Sequence, residues 1–284
     1  MDARAFFCYN QNMQKQLFPI LEYDDMSPPI VTAKKYLPEF VDIQTDLCLI
    51  TYFNDVVELY ERGFKVNQVF KIRTEGVRPR VYLMKSHVHG KSMYVVPMSI
   101  GAPQAARVVE AMCALGVNKF MVCGGAGALV DDEKLNKELC GKTLVPTSAV
   151  RDEGTSYHYL APSREIELNP VVQQVIEHVL KTEGVHYEKV KTWTTDAIFR
   201  ETADKVQARI EEGCDVVEME CSCYYSIAKH KGILLGQILY SGDSVSTSSW
   251  DYRSWHDAHE KREKLFELSA KCLLELSKVR YNKS

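Results

Sequence analysis

The stretch that decides the fold is YVVPMSIGAPQAARVVEAMCALGVNKFMVCGGAGAL, residues 94–129. Its first residues, Tyr94–Met98, form a short apolar run, and a helical pattern of apolar residues begins at Pro103 and ends at Gly116. A second apolar run, Lys119–Cys123, leads into a glycine-rich segment. Two apolar strands joined through a helix by short connections predict a βαβ unit, in which the strands are parallel.

The same alternation continues toward the C-terminus. A helix is predicted to begin at Asn169 and Pro170, an N-cap followed by a proline at the first helical position, and to end before Gly184. The pattern then predicts strands at Val190–Thr195, Asp215–Val217 and Ile233–Tyr240, and helices at Glu201–Glu212, Cys221–His230 and 256–278. This order indicates a three-layer α/β/α sandwich around a mixed or mostly parallel sheet. The first 90 residues are less regular, and we assign them to the same single domain, residues 1–284.

The composition of the chain excludes several classes of protein. It has 284 residues, 45% of them hydrophobic and 26% charged, which is typical of a globular protein. The 35 basic and 38 acidic residues nearly cancel, so the net charge does not favour binding to nucleic acid or to an anionic membrane. No run approaches the ~18 apolar residues of a membrane span. The start of the sequence lacks a signal-peptide pattern, so we expect a cytoplasmic protein.

The cysteines and histidines do not form a metal-site motif. Nine cysteines without a CxxC pair indicate buried thiols in a reducing compartment. His87 and His89 alternate on a predicted strand, and His256 and His259 are three residues apart on a predicted helix. Exposed or hydrogen-bonded histidines are the expected interpretation, with a metal site at either pair as the alternative. We predict no metal.

Four polar or glycine-rich segments follow apolar runs directly, at residues 99–102, 123–129, 218–220 and 241–244. Ligands of α/β sheets bind beyond the carboxyl ends of strands, so we expect these segments to form one site. Glu218 and Glu220 share a face if their strand continues, and a helix that starts at Glu220 would separate them. Such carboxylates cap backbone N–H groups or accept hydrogen bonds from substrate hydroxyls. Asp243 is a candidate helix cap or general acid.

Together these segments resemble the nucleoside phosphorylases of the hexameric purine and uridine phosphorylase type, which are related to the methylthioadenosine nucleosidases. The resemblance runs from about residue 94 to residue 276, and VVEMECS, residues 216–222, is its most specific match. SGDSV at 241–245 and KREKLF at 261–266 resemble two further family segments. The family fold has a mixed, partly barrel-like central sheet. Its reaction is phosphate-dependent cleavage of an N-glycosidic bond.

The resemblance implies roles for individual residues. Asp243 would protonate the purine at N7, and Arg262 would position Asp243. Glu220 would accept hydrogen bonds from the ribose hydroxyls, Met219 would pack under the sugar, and Trp193 would stack on the base. The complete predicted substrate-binding set is Ser99, Gly125, Ala126, Trp193, Glu218, Met219 and Glu220. The backbone N–H groups of Gly125 and Ala126 would contribute to a phosphate site. No cofactor is expected, with inorganic phosphate as co-substrate.

The sequence departs from the family pattern at the phosphate site. Val122 and Gly125 stand where the family carries an arginine and a serine or threonine, and residues 50–55 (ITYFND) replace a glycine loop with an arginine. Arg78 or Arg80 could stand in for an arginine that the family supplies from a neighbouring subunit. Phosphate binding then rests on other cations and backbone amides, or water is the nucleophile.

These observations predict a purine nucleoside phosphorylase, because pyrimidine members generally lack the acid that Asp243 provides. The alternatives are a uridine phosphorylase, a hydrolytic nucleosidase and a non-catalytic nucleoside-binding protein. By analogy we expect a homo-oligomer, a dimer or a hexamer. Two tryptophans in segment 246–256 could form a lid over the base or pack on the last helix. Loop 151–160 could line the base pocket or the subunit interface.

Overall fold

The computed structural model describes residues 15–25, 27–41, 44–76, 78–85, 90–130, 142–246, 250–253 and 257–280. Its strands are β1 (Leu47–Thr51), β2 (Val66–Lys71), β3 (Arg80–Lys85), β4 (Ser92–Pro97), β5 (Lys119–Ala128), β6 (Thr143–Asp152), β7 (Glu165–Glu167), β8 (Tyr187–Thr195), β9 (Val216–Glu218) and β10 (Leu234–Ser244). Its α-helices are α1 (Asn54–Arg62), α2 (Ala102–Ala114), α3 (Pro170–Thr182), α4 (Ala203–Glu211), α5 (Cys221–Lys231) and α6 (His259–Leu276). Short 3₁₀ turns lie at Pro19–Leu21, Ala33–Tyr36, Ser156–His158 and Ile198–Arg200.

Five strands close into a barrel. β5 pairs in parallel with β10 and antiparallel with β9, while β6 pairs in parallel with β8 and antiparallel with β10. The parallel pairing of β8 with β9 completes the ring. From β5 the sheet continues outward through β1, β4, β3 and β2, and β7 is added to β6. The predicted mixed, partly barrel-like sheet is therefore confirmed.

The barrel interior is filled by side chains. One residue from each of the five strands contributes to a buried cluster, which consists of Ala126, Leu144, Val190, Val216 and Leu239. A barrel this small has room inside only for side chains. Any ligand must consequently bind outside the barrel, where its strands end.

The βαβ unit of residues 94–129 forms as β4, α2 and β5, but its two strands are not neighbours. β1 lies between them and pairs in parallel with both, with Leu49 opposite Val95 on one side and Met121 on the other. β4 and β5 are therefore parallel to each other across a third strand. That strand comes from the first 90 residues, in which the sequence pattern was too irregular to predict a strand.

Two segments predicted to follow strands are instead their last residues. The glycine-rich segment belongs to β5, and Ser241–Ser244 belongs to β10. The physical reason is their mutual pairing, which runs from Tyr240 opposite Gly125 to Ser244 opposite Ala128. The register shifts between Ser241 and Asp243. Such a bulge changes the direction in which a strand presents its side chains.

The helices cover the sheet as two packed groups, α1 with α3 and α6, and α2 with α5. The side chain of Asn169 accepts a hydrogen bond from the N–H of Val171 at 2.9 Å, which confirms the predicted cap of α3. Gly236 allows α3 to approach β10, because a Cβ there would lie 2.6 Å from Val172 and 2.8 Å from Ile176. No helix of the described residues is both long and apolar enough to cross a bilayer.

Candidate active site

Glu220 is fixed at the head of α5. Its side chain is buried, and one carboxylate oxygen accepts the backbone N–H of Gly101, the residue that precedes α2. Gly101 has a φ of 114°, a conformation that favours glycine. The hydroxyl of Tyr52 also donates to Glu220, and it lies 2.8 Å from the hydroxyl of Tyr224. Glu220 is thus held where β1, α2 and α5 meet.

Glu218 caps the start of α5 instead of facing a ligand. One of its oxygens accepts the backbone N–H groups of Glu220 and Cys221, each at 2.7 Å. The other accepts the hydroxyls of Thr194 at 2.6 Å and Thr192 at 3.4 Å. The helix begins at Cys221, so the two glutamates do not share a strand face. Of the two roles considered for Glu218, these bonds fit the capping role.

Burial and mutual repulsion act on this carboxylate pair. Burial raises the pKa of Glu218 and of Glu220, and the charge of Glu218 raises the pKa of Glu220 further. Hydrogen bonds to a carboxylate favour its charged form. Because Glu218 accepts four such bonds, we assign the negative charge of the pair to Glu218 and the more tightly held proton to Glu220.

The glycine segment of β5 contributes exposed backbone to the site. Gly125 is exposed within an otherwise buried strand, so its backbone is accessible to a ligand. The ring of Tyr240 lies 3.5 Å from the position that a Cβ of Gly125 would occupy, and the ring of Tyr52 lies 3.0 Å from that of Gly124. The side chain of Ala126 points into the barrel cluster. Two tyrosine rings therefore flank the backbone whose N–H groups were predicted to bind phosphate.

Asp243 lies farther along the same strand edge. Its Oδ1 is 3.3 Å from the position that a Cβ of Gly127 would occupy, and its Oδ2 accepts the indole N–H of Trp250 at 2.6 Å. Gly124 lies beside Tyr52, which bonds to Glu220, and Gly127 lies beside Asp243. The two glycines are three residues apart on β5, roughly 10 Å of extended chain. Glu220, through Tyr52, and Asp243 are therefore both placed along the last residues of β5, among which Gly125 is exposed.

Glu201 is a site residue that sequence reasoning missed. Burial and, to a smaller extent, the charge of Asp243 raise the pKa of Glu201 to about 7, so its carboxyl lies within electrostatic range of that aspartate. It follows the turn Ile198–Arg200, in which Phe199 is 96% exposed. The sequence pattern placed Glu201 at the start of a helix, but α4 begins only at Ala203. An exposed aromatic residue next to a carboxylate, directly after a strand, was the available signal.

Arg262 has a different partner from the one expected. Its Nη2 lies 2.6 Å from Oδ1 of Asp55, in the first turn of α1, and Nδ1 of His259 lies 2.9 Å from the other oxygen. The guanidinium also lies over the ring of Phe53, 5.1 Å from its centroid. Arg262 is therefore engaged by Asp55, while Asp243 is engaged by Trp250. Asp55 was not identified from the sequence because it lies in the first 90 residues, where the pattern is less regular.

Trp193 is placed in the core. It is 0% exposed, packs in a cluster that includes Leu129 and Val217, and donates its indole N–H to Asp152 at 2.9 Å. The reason is strand alternation, because its neighbour Thr194 turns toward Glu218 and the tryptophan must face the opposite way. In this arrangement the ring offers no face to a base.

The remaining predicted residues are divided between the site and more distant positions. Ser99 is exposed just beyond β4, and Met219 is half-buried between β9 and α5. Arg78 is exposed and Arg80 lies over the ring of Tyr82, on a strand separated from β5 by β4 and β1. Three strand spacings are about 14 Å, so within one chain these arginines do not reach Gly125. Their role across a subunit interface stays a prediction.

Loop 151–160 is tied down by buried polar groups. The guanidinium of Arg151 donates to Ser156, Ser163 and two backbone carbonyls, at 2.8–3.1 Å. Glu153 accepts the hydroxyl of Ser222, on α5, at 2.8 Å. The loop is thereby attached to the helix that carries Glu220. Whether it lines the base pocket or an interface stays a prediction.

The described residues contain no group of three or more histidine, cysteine, aspartate or glutamate side chains that could hold a metal ion. His87, His89 and His256 lie outside the described residues, as do positions 247–249 and 254–255 of the tryptophan-rich segment. Six of the seven described cysteines are buried, and Cys113 is partly buried. Burial raises the pKa of the Cys123 thiol to about 12, which fits the expected packing role.

Comparison with known proteins identifies the family. Residues 54–276 match the family model of the phosphorylase superfamily. Over 160 residues the chain is 28% identical to a guanosine phosphorylase of Halorubrum lacusprofundi, an alignment that covers 55% of this chain and 63% of that protein. Over 113 residues it is 25% identical to a uridine phosphorylase of Haemophilus influenzae, which covers 40% and 43%. The matches thus span about half the length of these relatives.

A solved structure shows the same architecture. The purine nucleoside phosphorylase of Toxoplasma gondii superposes with a TM-score of 0.69 at 19% identity, over 85% of this chain and 99% of that one. At this identity the likeness concerns the fold. The family match covers well over half of the sequence and includes β5, the VVEMECS segment and the site at their ends. The chain belongs to the phosphorylase superfamily.

Proposed function

We propose that this chain cleaves the N-glycosidic bond of a purine nucleoside, with inorganic phosphate as the nucleophile and with free base and pentose 1-phosphate as products. The observation that supports the proposal is the placement of Glu220, through Tyr52, and of Asp243 along the last residues of β5, next to the exposed backbone of Gly125. A nucleoside bound along that edge would meet one carboxyl at its sugar and the other at its base. The guanosine phosphorylase relative supports the choice of a purine.

The sugar would be handled by Glu220. When the glycosidic bond breaks, positive charge develops on the pentose, and prearranged acceptors stabilise it. Glu220 is held in place by Gly101 and Tyr52, so it need not reorganise to accept hydrogen bonds from the ribose hydroxyls. Met219, half-buried beside it, would contact the underside of the ring.

The base would be handled by Asp243. A departing purine accumulates negative charge, which a proton delivered to N7 neutralises. A positioned general acid of this kind contributes ~10²–10⁴-fold to the rate. The carboxyl of Glu201 interacts electrostatically with Asp243. The two would form a carboxyl pair that holds a proton near the base.

Phosphate would bind at the exposed backbone of Gly125. The nearby cations are on α6, where Lys261 lies 5.9 Å from the ring centroid of Tyr240 and Arg262 lies over Phe53. The two rings are themselves in contact, with centroids 5.9 Å apart. A phosphate at Gly125 would thus have basic side chains behind its aromatic neighbours. The proposal requires no metal or organic cofactor.

Hydrolysis is the second candidate, and one observation favours it. Tyr52 and Tyr240 flank Gly124 and Gly125, where the family pattern has an arginine and a hydroxyl residue, and Arg262 is already neutralised by Asp55. Surroundings with little free positive charge stabilise a bound anion weakly, whereas a water molecule needs no counter-charge. Water would then attack the same carbon, while Glu220 and Asp243 keep their roles.

The deciding experiment uses inosine, guanosine, adenosine and uridine with and without phosphate. Phosphate-dependent release of purine and of pentose 1-phosphate is the expected result. Equal rates without phosphate, with free pentose as product, would establish the hydrolase instead. Preference for uridine would overturn the purine assignment, and binding without any turnover would leave a nucleoside-binding protein.

We further propose a homo-oligomer, either a dimer or a hexamer, in the cytoplasm. The exposed position of Arg78, remote from its own Gly125, is what supports a contribution to a neighbouring site. Light scattering on the purified protein tests the assembly. If the chain is an active monomer, Arg78 and Arg80 have no part in catalysis.

A further inference from the structure

The segment Trp250–Arg253, here called the strap, is attached to the end of β10. The backbone N–H and carbonyl of Asp251 pair with the carbonyl and N–H of Ser244, each at 2.9 Å, as an isolated antiparallel bridge. Nε of Arg253 binds the carboxylate of Asp251 at 2.9 Å, and Trp250 and Tyr252 pack edge to face with centroids 5.2 Å apart. The strap therefore has its own anchors beside Asp243.

A hydrogen bond joins the strap to the candidate acid. Nε1 of Trp250 donates to Oδ2 of Asp243 at 2.6 Å. Trp250 is 60% exposed, so little free energy from burial holds the ring in this place. The backbone bridge and the hydrogen bond account for its position. A residue that only packed on the last helix would bury its ring.

An indole N–H can donate a hydrogen bond and cannot accept one. Oδ2 of Asp243 must therefore be the acceptor whether or not the carboxyl is protonated. When Asp243 carries a proton, Oδ1 is the favoured site for it, because the carbonyl oxygen of a carboxyl group accepts a hydrogen bond better than its hydroxyl oxygen does. Oδ1 is the oxygen that lies against Gly127, on the β5 edge along which the nucleoside would bind. The absence of a side chain at Gly127 leaves this oxygen uncrowded.

A tryptophan partner also differs from an arginine in charge. An arginine next to a carboxylate stabilises its ionised form and opposes its use as an acid. An indole orients the carboxyl without adding positive charge. In this structure Arg262 is held by Asp55, so the oriented acid has a neutral partner.

We propose that Trp250, and not Arg262, is the positioning residue of Asp243, and that its indole N–H directs the acidic proton of Asp243 to Oδ1 for transfer to the purine. The inference rests on the proposed function. It assigns a catalytic purpose to Trp250, which lies in a segment that the sequence pattern left as either a lid or a packing segment.

The test compares Trp250→Phe, which keeps an aromatic ring but loses the N–H, with Tyr252→Phe, which leaves the bond to Asp243 intact. Two substrates are used: inosine, whose base must be protonated as it leaves, and 7-methylguanosine, whose base already carries a positive charge. We expect Trp250→Phe to lower kcat on inosine about 10- to 100-fold, the effect of losing a hydrogen bond to the carboxylate charge that develops on Asp243 as the proton leaves. On 7-methylguanosine it should change kcat less than threefold, about the scatter of such measurements. Tyr252→Phe should leave both rates near those of the wild type.

Equal losses on both substrates would show that Trp250 only maintains the shape of the site and would overturn the inference. So would an unchanged kcat on inosine. The pH dependence of kcat on inosine should also shift in Trp250→Phe, because the orientation and environment of the acid have changed, and an identical profile would count against the proposal. If the wild type cleaves neither nucleoside, the proposed function itself fails, which is a distinct result.

Discussion

The guanidinium of Arg262 and the carboxylate of Asp55 form an ion pair, with Nη2 2.6 Å from Oδ1 and only 11% of the arginine side chain exposed. Asp55→Asn would leave a nearly buried cation without its counter-charge. Breaking a buried pair in this way costs about 3–5 kcal/mol of unfolding free energy, and the 31% exposure of Asp55 places the expectation at the lower end. Urea denaturation measures the change.

The exposed pair of Glu58 and Arg62, 3.9 Å apart on α1, is the matched control. Glu58→Gln should alter the free energy of unfolding by no more than about 0.5 kcal/mol. If both variants behave alike, the pair of Asp55 and Arg262 makes no special contribution. If Asp55→Asn frees Arg262 to pair with Asp243, activity on inosine should fall, because an arginine next to a carboxylate opposes its use as an acid.

Glu220→Gln should lower kcat/KM for nucleosides about 2- to 10-fold, because the amide keeps one acceptor oxygen but puts a donor NH₂ group, which cannot accept a hydrogen bond from a ribose hydroxyl, in place of the other. The loss should shrink for a substrate without the 2′-hydroxyl, since that partner is already missing. A variant that loses equal activity on ribosides and deoxyribosides would contradict the assignment of Glu220 to the sugar. Circular dichroism checks that α5 is intact.

The raised pKa of Glu201 predicts how stability depends on pH. Its pKa is about 7 in the folded protein, against 4.5 for an ordinary glutamate, so the folded state holds a proton that the unfolded state releases. The contribution of Glu201 to stability is therefore lost as the pH rises from about 4.5 to about 7. In Glu201→Gln this loss is absent, so the Tm difference between variant and wild type should increase across that range.

Glu167, exposed on β7, supplies the control for this measurement. Glu167→Gln should leave the shape of the pH curve unchanged. A curve for Glu201→Gln that runs parallel to that of the wild type would mean that Glu201 is ionised in the folded protein at pH 5–6, contrary to its position within electrostatic range of Asp243.

Two neighbouring glycines should respond differently to alanine. At Gly124 a methyl group would lie 3.0 Å from the ring of Tyr52, which must then move, at a cost of about 1–3 kcal/mol. At Gly125 the new methyl would make an ordinary 3.5 Å contact with Tyr240, so stability should hold. Because Gly125 is the exposed position, its alanine variant should raise the KM for phosphate. An unaffected KM would remove Gly125 from the phosphate site.

Trp193 and Phe199 compare a buried aromatic residue with an exposed one. Trp193→Phe removes the bond to Asp152 and should cost about 1–3 kcal/mol of stability, with KM for the nucleoside unchanged. Phe199→Ala removes a ring that is 96% exposed and should leave stability within about 0.5 kcal/mol. A raised KM in Trp193→Phe alone would restore the tryptophan as the residue that stacks on the base.

Local patterns predicted the parts of this fold that depend on neighbouring residues. The apolar runs and cap residues of 94–129 and of Asn169 locate β4, α2, β5 and α3, because each signal lies within a few residues of the element it describes. The VVEMECS and SGDSV segments likewise located Glu220 and Asp243. Both residues carry carboxyl groups, so their types alone suggested the chemistry proposed for them.

Partners that come from distant parts of the chain were not predictable in this way. Arg262 pairs with Asp55 because α1 packs beside α6. Asp243 bonds to Trp250 because a backbone bridge from Asp251 to Ser244 holds the neighbouring segment in place. The separation of Glu218 from Glu220 depended on the residue at which α5 starts. In each case the competing arrangements use the same residue types, and only the packing of whole elements selects one of them.

The insertion of β1 between β4 and β5 has a consequence for shortened versions of this protein. The family match begins at residue 54, just after β1 ends at Thr51. A fragment cut to that boundary would retain α2 and both strands of the βαβ unit but leave a gap of about 9.6 Å between them, two strand spacings wide. The facing edges of β4 and β5 would then expose unpaired backbone groups, and such edges recruit other chains. Fragments that begin at residue 54 should therefore aggregate, whereas those that begin before Leu47 retain the strand that fills the gap.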